Sequence, residues 1–373
     1  MKKLIFLATE DWFVSSHFRP LLRRALEAGY DVAVAARASG ALADKGVRVI
    51  DMPFARGSLK PADLWRERQA VRALLQAERP DILHVIAMKP IALALAAGAE
   101  GAARVFALTG RGYMGVSRLR HVAPLIARGV RDAVAQGDAL LVENDADRIW
   151  VDRTASLPAD RVTIMPGAGV DPTRFTPQPE PEGPLVIGAA SRLIWSKGLD
   201  VLVEAVRRLN AAGRDVRLSI AGAIDPENPE SVSAATLAQW GAMPGVKLHG
   251  RITDLNGFWA QTQLACFPTR GGEGLPRALL EAAACQRALI VTNTPGCVDF
   301  VQIEREGLIV PTENPEALAA AIAKLADDPA HRARLAANAR ARVLAGYTET
   351  HAADAAAAAW AALIERKAAR AAV

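Results

Sequence analysis

The strongest constraint on the fold is an alternation that runs through the first half of the chain, stops, and starts again. Short apolar runs stand at Leu4–Ala8, Val32–Ala36, Val47–Met52, Ile82–Ile86, Val105–Leu108 and Ala139–Glu143. Between them lie segments with apolar residues at helical spacing, among them Phe18–Leu26, closed by Gly29, and Leu64–Ala77. Strands separated by helical patterns argue for βαβ units and a parallel sheet. A Pro/Glu segment, Phe175-Thr176-Pro177-Gln178-Pro179-Glu180-Pro181-Glu182-Gly183-Pro184, interrupts the pattern. Such segments act as semi-rigid spacers and mark domain boundaries. The alternation then resumes at Val186–Ala190, Val216–Ile220, Val246–Leu248, Leu264–Phe267 and Leu289–Val291, with Leu202, Val206 and Leu209 on one helix face. The expectation is an α/β protein of two Rossmann-like parallel-sheet domains, 1–178 and 183–345, facing a central cleft. Residues 346–373 form a final helix, and Trp360 and Leu363 give its Ala-rich stretch something to bury.

Composition narrows the class. Of 373 residues, 51% are hydrophobic and 23% charged, a globular balance that excludes a disordered chain. Three cysteines with no CxxC spacing exclude a disulfide framework and a structural zinc site, so reduced thiols in a cytoplasmic protein are expected. Met1-Lys2-Lys3 and Leu4–Ala8 imitate a signal peptide, but the apolar run is short and meets Glu10-Asp11, as a first strand would. Pro90–Ala99 is about half the length that spans a bilayer, so no transmembrane helix is expected.

The net charge of +5 suits an anionic substrate or surface. Arg104, Arg111, Arg118, Arg120, Arg128 and Arg131 lie in a stretch where Asp132 is the single acid. They read either as a solvated helix face or as a docking site for phospholipid head groups or an acceptor phosphate. Nucleic acid is not expected, because no binding motif accompanies the charge.

Several nucleotide signatures are missing. No GxxxxGK[ST] follows a strand, and no GxSxG elbow occurs. Gly167-Ala168-Gly169 leads into Val170-Asp171-Pro172 and opens no helix. Asp145 and Asp147 resemble a carboxylate pair for metal, but Asn144 before them fits a helix N-cap better.

Two clusters in the second half carry chemistry. Ser191-Arg192-Leu193-Ile194-Trp195-Ser196-Lys197-Gly198 follows a strand and opens a helix. A helix N-terminus offers free N–H groups and partial positive charge, and a guanidinium fork with an ammonium adds a site for diphosphate. The plainer reading is two solvated surface cations. Gly271-Gly272-Glu273-Gly274-Leu275-Pro276 follows another strand, and Glu281 lies on the helix after it. Glycines let backbone approach a ligand, Pro276 suits the first helical position, and the carboxylates could hold hydroxyls of an elongated ligand. Alone, Glu273 reads as helix-dipole compensation and Glu281 as a surface helix residue. The two clusters in one domain, each after a strand, favour the functional reading.

At these residues the sequence resembles the retaining GT-B glycosyltransferases of the family-4 kind. Glu273 and Glu281 stand with seven residues between them in a segment that opens EGxP and runs into Ala282-Ala283-Ala284-Cys285, and the Arg192/Lys197 loop matches as well. The likeness extends through Gly167–Pro177, Gly222, His249-Gly250, Thr294-Pro295-Gly296-Cys297 and Gly307–Pro311. It implies transfer of a sugar from a nucleotide-sugar donor, UDP-linked, with retention and without metal or other cofactor. By the same resemblance, Arg192 and Lys197 neutralise the diphosphate, Glu281 holds ribose hydroxyls and Glu273 contacts the donor sugar. Gly274, Leu275 and Arg251 join the donor site. The N-terminal domain would bind the acceptor, and the last helix would cross back to it.

Thr109-Gly110-Arg111-Gly112-Tyr113 and Asp225-Pro226-Glu227-Asn228-Pro229 look like those transferases that extend undecaprenyl-diphosphate-linked glycans, often from UDP-N-acetylhexosamines. This implies a lipid-linked saccharide acceptor, with Arg111, Arg118, Arg120, His17 and Thr109 on the acceptor or membrane side. The protein would then sit peripherally on the anionic inner face of the cytoplasmic membrane. Three departures stand out. Thr109 replaces a His of many relatives, with His17 and His84 as other candidates to contact the sugar. Gln286-Arg287-Ala288 replaces a Gly and Pro. Val14-Ser15-Ser16-His17 replaces a Gly pair. A nucleotide-sugar epimerase and a non-catalytic membrane-surface scaffold are the rival readings.

Overall fold

The computed structural model describes residues 1–43, 46–99, 101–110, 122–152 and 157–371. Arg111, Arg118 and Arg120 lie outside the described residues, as do Gly112 and Tyr113. The chain divides into two compact units. One comprises Met1–Ala168, Gly272–Gly274 and Glu349–Val373, the other Gly169–Gly271 and Leu275–Thr348.

The first unit holds seven strands: β1 Lys3–Glu10, β2 Asp31–Arg37, β3 Arg48–Asp51, β4 Ile82–Ile86, β5 Ala103–Leu108, β6 Ala139–Val142 and β7 Val162–Ile164. They lie in the order β3-β2-β1-β4-β5-β6-β7, every pair parallel. Helices cover both faces, so a central strand is buried on each side and reads as a continuous apolar run. All five residues of β4 are buried accordingly.

The second unit repeats the plan with β8 Leu185–Ala190, β9 Val216–Ala221, β10 Val246–Leu248, β11 Leu264–Phe267, β12 Ala288–Thr292 and β13 Gly307–Val310. Their order is β10-β9-β8-β11-β12-β13, again all parallel. Both units are Rossmann-like, as the alternation predicts. The alternation does not reveal β7 and β13. The first has three residues, none buried, and the second opens on a glycine.

The helical tail resolves into Pro315–Asp327, Pro329–Gly346 and Glu349–Ala371. The last of these packs within the first unit through Trp360, which is fully buried edge-on to Phe6. Trp360 Nε1 donates to Nδ1 of His84 at 3.0 Å. His84 is therefore a core residue, and burial pushes its pKa down to about 3. Asn144 caps the helix Asp145–Val151 by accepting from the Asp147 amide at 2.7 Å.

Two features differ from the sequence-based expectation. Arg104 is not a surface cation, because Asp138 binds its guanidinium at 2.7 Å and it stacks on Phe106. The Pro/Glu segment is not a free spacer but part of the second unit. Arg332 Nη2 donates to Glu180 at 2.6 Å, Gln263 Nε2 to the Pro181 carbonyl at 2.8 Å, and Arg287 to the Gln178 carbonyl. Arg287 is fully buried and donates as well to the carbonyls of Thr262 and Cys285. Gln286 before it takes φ +58°, a left-handed conformation that favours glycine.

Candidate functional site

In an open parallel sheet, ligands bind beyond the carboxyl ends of the strands where the strand order reverses. In the second unit that point lies between β8 and β11, which pair through Ile187 with Leu264 and Gly188 with Ala265. The loop after β8 is Ser191–Gly198 and the loop after β11 runs from Pro268 through Gly271. Both clusters singled out in the sequence thus begin at the reversal.

The two loops are joined at several points. Gly198 takes φ +65°, and a Cβ there would lie 2.0 Å from the Pro268 carbonyl oxygen. Only glycine allows this approach and this backbone conformation together. The Arg270 amide donates to Ser196 O at 2.8 Å and Thr269 Oγ1 to the same oxygen at 3.1 Å. The Arg270 guanidinium donates to the Trp195 carbonyl, to both oxygens of Asp200 at 2.9 and 2.8 Å, and to Glu313 at 3.1 Å. Those carboxylates raise its pKa further, so the charge is permanent. No sequence motif marks Arg270, whose one local signal is its place in the loop that follows β11.

Within the first loop, Trp195–Lys197 form a 3-10 turn, and Gly198 caps the helix Leu199–Ala211. Lys197 is half-buried, while Arg192 is exposed and pairs with Asp225 at 3.1 Å. Both cations therefore precede a helix N-terminus, where amide donors add to their field.

Glu281 lies in the helix Arg277–Ala284 and is 4% exposed, so it is not a surface residue. Arg277, one turn earlier, holds its carboxylate at 3.1 Å. The i,i+4 spacing of this pair was legible in the sequence. Pro276 serves as N-cap with ψ 120°, and the helix starts one residue later than expected. Leu275 is buried at the approach to that helix. Arg251 is exposed beyond β10, the edge strand.

Glu273 and Gly274 belong to the short segment that packs with the first unit. There a Cβ on Gly274 would lie 1.9 Å from Glu143 Oε2, so a side chain would displace the buried Glu143. Thr109 follows β5 and is half-buried. His17 ends the helix Asp11–His17, its ring 4.6 Å from that of Phe13 and its Nδ1 2.7 Å from Ser16 Oγ.

Among the described residues, no group of three or more His, Cys, Asp or Glu side chains is placed to hold a metal ion. No described helix is long and apolar enough to cross a membrane.

Comparison with known proteins bears on the family and the fold. Residues 14–174 match the model of Glycosyltransferase Family 4, and residues 184–328 that of Glycosyl transferases group 1. The chain is 30% identical over 158 residues to the capsular polysaccharide biosynthesis glycosyltransferase CapM of Staphylococcus aureus, covering 42% of this chain and 41% of CapM. It is 31% identical over 156 residues to the N,N'-diacetylbacillosaminyl-diphospho-undecaprenol alpha-1,3-N-acetylgalactosaminyltransferase of Campylobacter jejuni, covering 42% and 39%. The matches thus span about two fifths of either relative. Sucrose-phosphate synthase of Thermosynechococcus elongatus shares the fold, with a TM-score of 0.81 at 17% identity over 98% of this chain and 100% of that one.

Proposed function

Because the chain belongs to the GT-B glycosyltransferases of group 1/family 4 type, we propose that it transfers a sugar, with retention, from a nucleotide-sugar donor to a lipid-diphosphate-linked saccharide in surface-glycan or protein-glycosylation assembly. The donor is a UDP-linked N-acetylhexosamine or a related sugar. The observation that carries this reading is the position of Arg192 and Lys197 on the loop at the strand-order reversal, ahead of a helix N-terminus.

Cleaving a glycosyl–phosphate bond builds negative charge on the leaving phosphate oxygen. Cations and amides fixed in advance stabilise that charge without reorganising. Arg192 offers a fork and Lys197 a point charge, so no metal or other cofactor is required. Glu281, oriented by Arg277, accepts from the ribose hydroxyls. Glu273 contacts the donor sugar, and Gly274, Leu275 and Arg251 complete the donor site.

The acceptor assignment draws on the Campylobacter jejuni relative, named for a diphospho-undecaprenol substrate, and on CapM, named for capsule synthesis. His17 and Thr109 stand on the acceptor side. Arg111, Arg118 and Arg120 hold the protein on the anionic inner face of the cytoplasmic membrane.

Isothermal titration against a panel of nucleotide sugars tests the donor site. Lys197→Ala and Glu281→Ala weaken binding, whereas Glu273→Ala lowers transfer more than binding. An unchanged affinity in Lys197→Ala removes the diphosphate role. Turnover that collapses with a chelator removes metal independence.

A further inference from the structure

We propose that Asp225 is a positioning residue for Arg192: it fixes the direction in which the guanidinium meets a diphosphate. The proposal rests on the reading of Arg192 as a diphosphate contact and gives the Asp225-Pro226-Glu227-Asn228-Pro229 segment a task.

This segment follows β9, the neighbour of β8 on the side away from β11. Gly222 starts it with φ +154°, and a Cβ there would lie 1.8 Å from the Ser191 carbonyl oxygen. The two loops then run as a pair. The Leu193 amide donates to Ala223 O at 3.0 Å, Trp195 to Glu230 O at 2.9 Å, and Val232 to Leu193 O at 2.9 Å. Ile194 and Ser231 form an antiparallel bridge. The cationic loop therefore has a backbone partner on this side, besides the Arg270 contacts towards β11.

The segment also fixes its own acid. The Asp225 amide donates to Ser231 Oγ at 3.1 Å, and that hydroxyl donates back to the Asp225 carbonyl. Asn228 Oδ1 accepts from the Glu230 amide at 2.9 Å. The Asp225 side chain is 11% exposed, whereas that of Arg192 is 51% exposed. The carboxylate is thus the mounted partner and the guanidinium the one that reaches out. A pair this exposed adds little to folding. Its effect is to restrict a long side chain whose freedom would otherwise be lost on binding. Arg192 Nη1 meets Asp225 Oδ2. An arginine carries five donors, so further N–H groups remain for phosphate oxygens.

The test is a double-mutant cycle on the full chain, with UDP and inorganic pyrophosphate as probes in isothermal titration. Asp225→Ala weakens binding of both probes about three- to tenfold, as loss of an exposed orienting contact should. Asp225→Asn keeps an oxygen that accepts from Nη1 and recovers most of the loss. In an Arg192→Ala background, Asp225→Ala changes nothing further. Tighter binding by Asp225→Ala would mean that the carboxylate competes with phosphate, and overturns the proposal. A loss that persists undiminished without Arg192 overturns it too, because the acid then acts through the loop at large. Wild-type affinity in Arg192→Ala alone is a separate result, which removes the underlying reading.

Discussion

Arg270 grips both carboxylate oxygens of Asp200, and the same guanidinium donates to the Trp195 carbonyl inside the cationic loop. One side chain therefore ties the loop after β11 to the loop after β8 and to the first turn of the helix behind it. Arg270→Ala should release the loop while leaving the sheet intact. The lost contacts are partly solvated, so the stability cost should stay near 1 kcal/mol. Nucleoside-diphosphate affinity should fall about tenfold, since the cations lose their preset geometry. Thermal melting read beside titration separates the two effects, and equal affinity in both proteins would show that the loop needs no brace.

Arg277 and Glu281 form a second dependent pair. Removing the cation takes away a contact that orients a covered carboxylate at 3.1 Å. Arg277→Ala should therefore lower nucleotide-sugar affinity about three- to tenfold, and Arg277→Lys, which keeps a cation, should recover part of the loss. Isothermal titration checks this. Unchanged affinity in Arg277→Ala would rule out Arg277 as the group that orients Glu281.

The strand-and-helix plan was legible because a parallel sheet buried on both faces writes its strands as apolar runs, such as Ile82–Ile86. The Arg192/Lys197 and Glu273/Glu281 motifs were legible for a different reason. Each occupies consecutive or helically spaced positions beside a strand end. Arg270, Asp225 and Arg287 act across the fold, through partners distant in sequence: Asp200, Arg192 and Gln178. No local pattern announces such pairs. Arg104 reads as part of the basic stretch for the same reason, since its partner Asp138 lies 34 residues away, beyond the segment in which Asp132 is the single acid.

Arg287 holds the turn after the helix Arg277–Ala284 from inside the core. It donates to the carbonyls of Cys285, Thr262 and Gln178, and burial opposes its charge and lowers its pKa. Arg287→Gly would leave those carbonyls without a donor. Each buried polar group left unpaired costs about 1–3 kcal/mol, so the variant should lose at least about 3 kcal/mol. Denaturant unfolding gives the number. A glycine variant as stable as the wild type would mean that water or backbone takes over these bonds.

His84 supplies a pH dependence of stability with a defined sign. Its pKa in the folded protein is about 3, against 6.5 for an unperturbed imidazole, because it is fully buried. Between these values the unfolded chain binds the proton and the folded chain does not. Stability is complete above pH 6.5 and is lost progressively as pH falls towards 3, by about 1.4 kcal/mol per pH unit. His84→Gln keeps an oxygen that can accept from Trp360 Nε1 but cannot titrate. Denaturant unfolding at pH 7, 6 and 5 should therefore show a steeper decline for the wild type than for His84→Gln. Identical slopes would place the acid sensitivity on other groups and leave His84 protonated at no cost to the core.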